Sequence, residues 1–523
     1  MRKSLLIDFK IASLPSNVFL IAGLILFFAL STTAAFAQKK EKKERMKLEH
    51  ANELEGDKRN GEKVNILRGN VIFSQKGAMM YCDSAYQYKK RNSIDAFGNV
   101  KINQGDTISL TGNTLNYNGD TKIALVKGNV VMRDRKMTLT TDALTYDMKN
   151  KLASYNTGGK IKDENTTLTS QIGNYATDTK TLYFKKNVNA VNTKQGFSLT
   201  GDTLEYNTMT KIVTYRGPTT IVNKEGTIYS KTAGEYNTRD SSSVIEGQSK
   251  VTSGNFLLTA NKMHYSDTKK SGIATGNVRM YSEKDNIIIE GDQAYYWEKK
   301  GISKIFGHPV MKSISGSDTL FLTADTLISF DNPKKNQRKL FAYNNAKIFR
   351  KDLQGKCDSL VYNFSDSTIY FFNDPVLWNG GNQMFADSIN IQLANKKVKQ
   401  MNMNINSFII SKDSMRNFNQ IKGRKMTALF DSSSITRVDV KGNGESIYFA
   451  LENDSALVGM NKVACSDITI GFLNKALNSI SFIKSPDAQF IPPHELQEPD
   501  KRLKGFAWRE KERPNKEQVV RKE

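Results

Sequence analysis

The sequence predicts an all-β protein, an elongated, solenoid-like stack of repeated units. Three observations carry this. A tyrosine-centred pattern recurs about every thirty residues, apolar and polar side chains alternate inside each unit, and the 523 residues include 27 Phe, 20 Tyr and 35 Gly against only 10 Pro. Aromatic and β-branched residues with little Pro favour strands joined by tight turns. A unit that short cannot bury its own apolar face, so neighbours must stack into a continuous interior.

The repeat emerges when segments are set side by side. Gly112-Asn113-Thr114-Leu115-Asn116-Tyr117-Asn118, Thr141-Asp142-Ala143-Leu144-Thr145-Tyr146-Asp147 and Gly201-Asp202-Thr203-Leu204-Glu205-Tyr206-Asn207 share one pattern. The tyrosines fall at Tyr88, Tyr117, Tyr146, Tyr175, Tyr206, Tyr236, Tyr265, Tyr296 and Tyr362, with Phe330 in the remaining place, at spacings of 29 to 34 residues. A second landmark keeps the same beat: Gly69-Asn70-Val71, Gly98-Asn99-Val100, Gly128-Asn129-Val130 and Gly276-Asn277-Val278 each read as the opening of a strand. Pro218, Pro309 and Pro375 stand in or near the Asn place, where a sheet tolerates Pro.

Within each unit the period is two, as strands require. Val71 with Phe73, Val100 with Ile102, Val130 with Met132 and Val278 with Met280 project to one face. Leu115 with Tyr117, Leu144 with Tyr146, and Leu204 with Tyr206 do the same. Each unit reads as about three short strands, and ten or eleven units fill residues 50 to 400. The recurrent Asp83, Asp142, Asp202, Asp325, Asp358 and Asp387 read as turn or strand-start residues that satisfy nearby backbone donors.

The ends have a different character. Arg2, Lys3 and Lys10 precede an apolar run from Val18 to Leu30 and the small residues before Ala37-Gln38, the order of a secretory signal at residues 1–37 cleaved after Ala37. The first Cys is Cys82, which excludes a lipoprotein anchor at that junction. A basic linker at 38–49, unstructured or weakly helical, leads into a first module at 50–220 and a second at 221–395, divided at Pro218 and a shift in repeat spacing. Residues 396–484 read as a divergent β module that caps the array, and 485–523 as a charged, Pro-containing, mobile tail.

The net charge of +23 attracts polyanions, among them phosphorylated glycolipids, although lysines also protect strand edges. Export argues against nucleic acid as a partner. Cys82, Cys357 and Cys465 are three, an odd number without a disulfide framework, and they occupy similar repeat positions. The four His are scattered with no ligand spacing to Cys or carboxylate, so neither a metal site nor a cofactor is expected. No unit carries a carboxylate or basic cluster that its neighbours lack, so the expectation is a non-enzymatic protein.

The Gly-Asn-Val openings, the Asp-x-Leu-x-Tyr-Asn strand, the period near thirty and the signal segment together resemble the OstA/LptA family of organic-solvent-tolerance and periplasmic lipopolysaccharide-transport proteins, from about Leu48 to Asn395 and more faintly to Phe482. The resemblance implies a twisted β-jelly roll whose apolar interior holds acyl chains, in a periplasmic bridge between inner and outer membranes. It implies lipopolysaccharide as cargo, and docking to other transport proteins, or head-to-tail self-association, by edge-strand addition. The inward sets Val71, Phe73, Val100, Ile102, Leu115, Tyr117, Val130, Met132, Leu144, Tyr146, Leu204, Tyr206, Val278 and Met280 are then the candidate groove lining. The chain departs from the simplest members in having two modules, and it lacks the aromatic-rich closing strands of an outer-membrane barrel. The competing reading is a structural or adhesive exported solenoid without lipid cargo.

Overall fold

The computed structural model describes residues 44–521 apart from positions 60, 136, 225, 255, 317, 333–334, 432–433, 454 and 474–475. The signal segment at 1–37 lies outside the described residues. Among these residues, 37 strands form one continuous antiparallel sheet in which each strand pairs with strands close to it in the chain. None of their helices is long and apolar enough to cross a membrane. The end of the expected linker is itself a strand: Lys47–His50 pairs with Ile72–Ser74 at the sheet edge.

The repeating unit is a hairpin of two long strands, not three short ones. Ser93–Gln104 with Ile108–Asn118, and Ile123–Asp134 with Met137–Asp147, are typical. The Gly-Asn pairs do not open strands; they lie in the middle of them. Gly128 at φ 78° and Asn129 at φ 49° sit inside Ile123–Asp134, and the register with the next strand shifts between Lys127 and Val130. Two consecutive left-handed residues are unopposed there, so the strand bends without losing its pairing. Glycine takes that conformation freely, and Asn is the side chain that tolerates it best. Pro218 sits at the equivalent bend inside Ile212–Asn223.

These bends align into a spine that folds the sheet on itself. Inward parity is kept through each bend, so Ala124 and Val126 before it and Val130 and Met132 after it are all buried. The recurrent Asp sits across the spine from the bent Asn. Asp83 Oδ2 accepts from Asn99 Nδ2 at 2.9 Å, and Asp387 Oδ1 accepts from Asn406 Nδ2 at 3.1 Å. The Asp residues therefore bond a neighbouring strand's side chain rather than only local backbone, a pairing that needs the register to be known.

The interior divides along the stack. One cluster of buried apolar residues runs from Met46 to Ile221 and another from Ile287 to Ile470, with a small one around Ile245, Met263 and Ala274 between them. A fourth lies on the outside of the C-terminal strands, around Phe408, Phe449 and Met460. It is covered by the tail, which is docked rather than mobile. After Asp487–Ile491 the chain turns back along the stack, against its direction of growth. Gln420 donates to Lys501 O at 2.7 Å and accepts from Leu503 N at 2.8 Å. Gln383 repeats the device with Ala507 O and Arg509 N, both at 2.6 Å. Arg513 then donates to Gln354 Oε1, and Arg521 pairs with Asp292. Outer residues under this strap are apolar, so Val376-Leu377-Trp378 and Phe408-Ile409-Ile410 are buried on both faces.

Candidate functional site

Folding at the spine brings the hairpin ends on one side, the two lips of the sandwich, toward each other. In the first half they are tied by the repeat tyrosines. Tyr117 OH donates to Gln75 Oε1 at 2.6 Å and Tyr146 OH to Gln104 Oε1 at 2.5 Å. Tyr175 OH donates to Asp134 Oδ2 at 2.6 Å and Tyr206 OH to Asp163 Oδ2 at 3.1 Å. Each bond spans 41 to 43 residues, more than one repeat, so it joins one unit to the preceding unit rather than to its own hairpin partner. Lys180 and Lys211 reinforce the last two through Asp134 at 2.5 Å and Asp163 at 3.0 Å. Burial pushes the Tyr117 hydroxyl up to about 12, and burial followed by the Asp134 hydrogen bond raises Tyr175 further, so both remain donors at any physiological pH.

Two expected members of this row are displaced by one residue. Gln87 takes the inward place in the first unit and Tyr88 lies under the Arg91 guanidinium at 3.7 Å. Leu327 is buried while Phe330 is half-buried on the other face. A shift of one residue moves a side chain to the opposite face of a strand.

The seam lapses between the two large interiors. Tyr265 OH turns to Glu298 Oε2 at 2.6 Å, and Tyr296 is 40% exposed. The inward residues near the lips, Ile228, Val251, Leu258 and Met280, are only half-buried, and Phe256 is 49% exposed. At the spine the strand Ser242–Ser253 carries the fully buried Ser249, where the strand Ser271–Ser282 carries Val278. The result is a half-buried apolar stretch of the inward face, called the lateral opening below, over the small cluster of Ile245, Met263 and Val278. Past it the lips close again through charges. Arg338 makes a bidentate pair with Asp285 at 2.8 and 2.6 Å, and Lys396 Nζ donates to Ile314 O at 2.8 Å.

The structure brings all fourteen candidate lining residues to the interior, but not to one open groove. Val71, Phe73, Val100, Ile102, Leu115, Tyr117, Val130, Met132, Leu144, Tyr146, Leu204 and Tyr206 belong to the closed first interior, filled by side chains. Val278 and Met280 lie at the opening. Ile228, Val251 and Leu258 escaped sequence reasoning because their units lack the Gly-Asn landmark. The signal was the change from Val to Ser at 249. The strap's apolar anchors, Leu496, Leu503, Phe506 and Trp508, were also missed, although the loss of alternation in Phe408-Ile409-Ile410 marks what they cover.

The thiols offer no chemistry here. Burial pushes Cys82 up to about 11 and Cys357 up to about 12, far from a reactive thiolate at neutral pH.

Comparison with known proteins agrees with this architecture. Residues 43–198 match the OstA-like protein family, and residues 227–397 match the family described as LptA/(LptD N-terminal domain) LPS transport protein. No curated protein matches. Among solved structures, the chain is similar to LptH, the LptA-homologous periplasmic component of the lipopolysaccharide transport device of Pseudomonas aeruginosa, at 12% identity, over 23% of this chain and 82% of that one, with a TM-score of 0.20. The second of these families is described by transport. One family match covers most of the closed first half and the other begins at the lateral opening, so the chain carries an OstA-like segment and an LptA/(LptD N-terminal domain)-like segment in tandem.

Proposed function

We propose that this protein carries lipopolysaccharide across the periplasm, with the acyl chains held between the two half-sheets and admitted through the lateral opening. The observation that carries this is the lapse of the tyrosine seam where Ile228, Val251, Leu258 and Met280 are left half-buried. Covering an apolar lining with acyl chain is favourable by about 0.8 kcal/mol per methylene. The lipid A phosphates would stay at the lips, within reach of the lysines there. The fourteen interior positions named from sequence would then be reached only as the seam parts, beginning from Val278 and Met280.

The opening also supports a module boundary near residue 220, since the first continuous interior ends at Ile221. Both ends of the sheet offer strands for addition. Among the described residues, Glu53–Arg59 pairs only with Glu62–Arg68, and Asp487–Ile491 only with Met460–Ala464. Transport partners, or a second copy head to tail, could extend the bridge at either edge.

Site-specific photo-crosslinking in living cells tests the reading. Probes at Leu258 and Met280 are expected to give lipopolysaccharide adducts, with weaker ones at Val130 and Leu144 and none at the outward Thr145. No adduct at any inward position, in folded and expressed protein, would overturn transport and favour the cargo-free solenoid, whose core would also be filled.

A further inference from the structure

We propose that the outer face of the sheet beside the opening is a saccharide-binding platform that takes the sugar part of the cargo; the inference rests on the transport reading. On this face, cross-strand neighbours along one row are largely polar in the first half, including Thr145, Asn174, Glu205 and Glu235. They are polar again from Asn390 through Asn402 and Thr427 to Asp439. Between these stretches the row becomes Tyr295, Lys304, Ile328, Phe341, Val361 and Tyr370, in unbroken register. The strap covers a neighbouring outer surface and reaches Asp292 on the spine, but nothing among the described residues is paired over this row. A contiguous, half-exposed patch of apolar and aromatic side chains of this kind marks a binding surface.

The chemistry of the patch selects its ligand. The Tyr295 ring lies nearly parallel to Trp297, with centroids 5.8 Å apart and planes at 21°, and to Phe306, at 5.4 Å and 17°. These three rings and Lys304, Asp325 and Thr326 surround a shallow cavity of about 480 Å³. That volume is in the range of small-molecule sites, roughly 300–1,000 Å³. Pyranose rings have one face of C–H groups that lies against aromatic rings and an edge of hydroxyls that needs polar partners. Rings beside an ammonium, a carboxylate and a hydroxyl supply both. An acyl chain would leave those three polar groups unused.

Continuity with the opening identifies which saccharide. One strand, Ile287–Trp297, turns Tyr296 to the lip of the opening and Tyr295 and Trp297 to the platform. The turn that follows exposes Lys299 and Lys300. A glycolipid with its chains in the opening would bring its phosphorylated sugars over this lip and onto the rings.

The test titrates the full mature chain with three probes: fully deacylated lipopolysaccharide, lipid A without core sugars, and vesicles of phosphatidylglycerol and phosphatidylethanolamine. The deacylated oligosaccharide is expected to bind the wild type and to bind Trp297→Ala about three- to tenfold more weakly, as for loss of one aromatic contact. Trp297→Phe should restore most of the loss, and lipid A affinity should be unchanged in both, which also reports that the variants fold. Lipid A binding without oligosaccharide binding would overturn the platform and leave transport standing. Binding of neither would overturn the transport reading as well. Equal oligosaccharide binding by wild type and Trp297→Ala, or platform-dependent binding of the vesicles, would also overturn the saccharide assignment.

Discussion

From Val71 to Ile221 the two half-sheets are tied to each other at the lips, by tyrosine hydroxyls that reach back to Gln or Asp more than a repeat away. From Ile287 onward the ties are arginine and lysine, and a strap on the outside holds successive strands through Gln354, Gln383 and Gln420. One repeat thus supports two closures. The first is distributed, one bond per unit, and each unit depends on the one before it. The second is concentrated in a single segment of about thirty residues at the far end of the chain. Where neither operates, around Val251, Leu258 and Met280, the inward side chains are left half-buried. The opening is therefore a junction between two closing schemes rather than a pocket cut into either.

The sharpest way to break this comparison is at Trp378, fully buried on the outer face under the strap. Trp378→Ala should cost about 3–5 kcal/mol, the usual effect of emptying so large a buried site. Hydrogen–deuterium exchange should show protection lost over residues 354–460 and kept over 71–221. Equal loss in both halves would make them one cooperative unit.

A smaller effect probes the seam. Tyr175→Phe removes a donor from the buried Asp134 carboxylate and should cost about 1.5–3 kcal/mol, against about 1 kcal/mol or less for Tyr265→Phe, whose hydroxyl meets the partly exposed Glu298. Chemical denaturation of the two variants measures the contrast. Similar costs would mean that the seam is no tighter in the first half than at the opening.

The spine should be alike in both halves. Asn129→Ala keeps a side chain at φ 49° but loses the one that tolerates it, at about 1–2 kcal/mol, whereas Asn129→Gly should be near neutral. Thermal unfolding of this pair, and of the same pair at Asn406, should give matching differences.

Acid should act on the strap, and weakly. Hydrogen bonds from Arg509, then Lys356, hold the Glu512 carboxyl down at about 2. A depressed carboxyl contributes stability that is complete above its ordinary value of 4.5 and is lost as pH falls toward about 2. Limited proteolysis with an acid-active protease should find the tail protected at pH 5 and released only between about pH 4 and 2. Release at pH 5 would assign the docking to other contacts.

Much of the fold was legible because a period of two inside a period near thirty leaves few alternatives to stacked strands. The interior sets followed from alternation, and the structure buries them where parity puts them. The role of Gly-Asn was misread as a strand opening, since a turn and a bulge ask for the same left-handed residues and differ only in whether pairing continues. The strap was misread for a related reason. Charge and Pro mark the absence of regular structure, which is not the absence of a docking surface.

By itself, then, the sequence determined the all-β class, the repeat, the inward face and the family resemblance, because each rests on spacing along the chain. The tertiary structure alone decided which tyrosine meets which carboxylate or amide, where the seam fails, and that the last thirty residues cover an outer face. Those outcomes depend on the stagger between folded half-sheets and on the path of a segment without periodicity. Contacts across 41 to 159 residues leave no local signature in the chain.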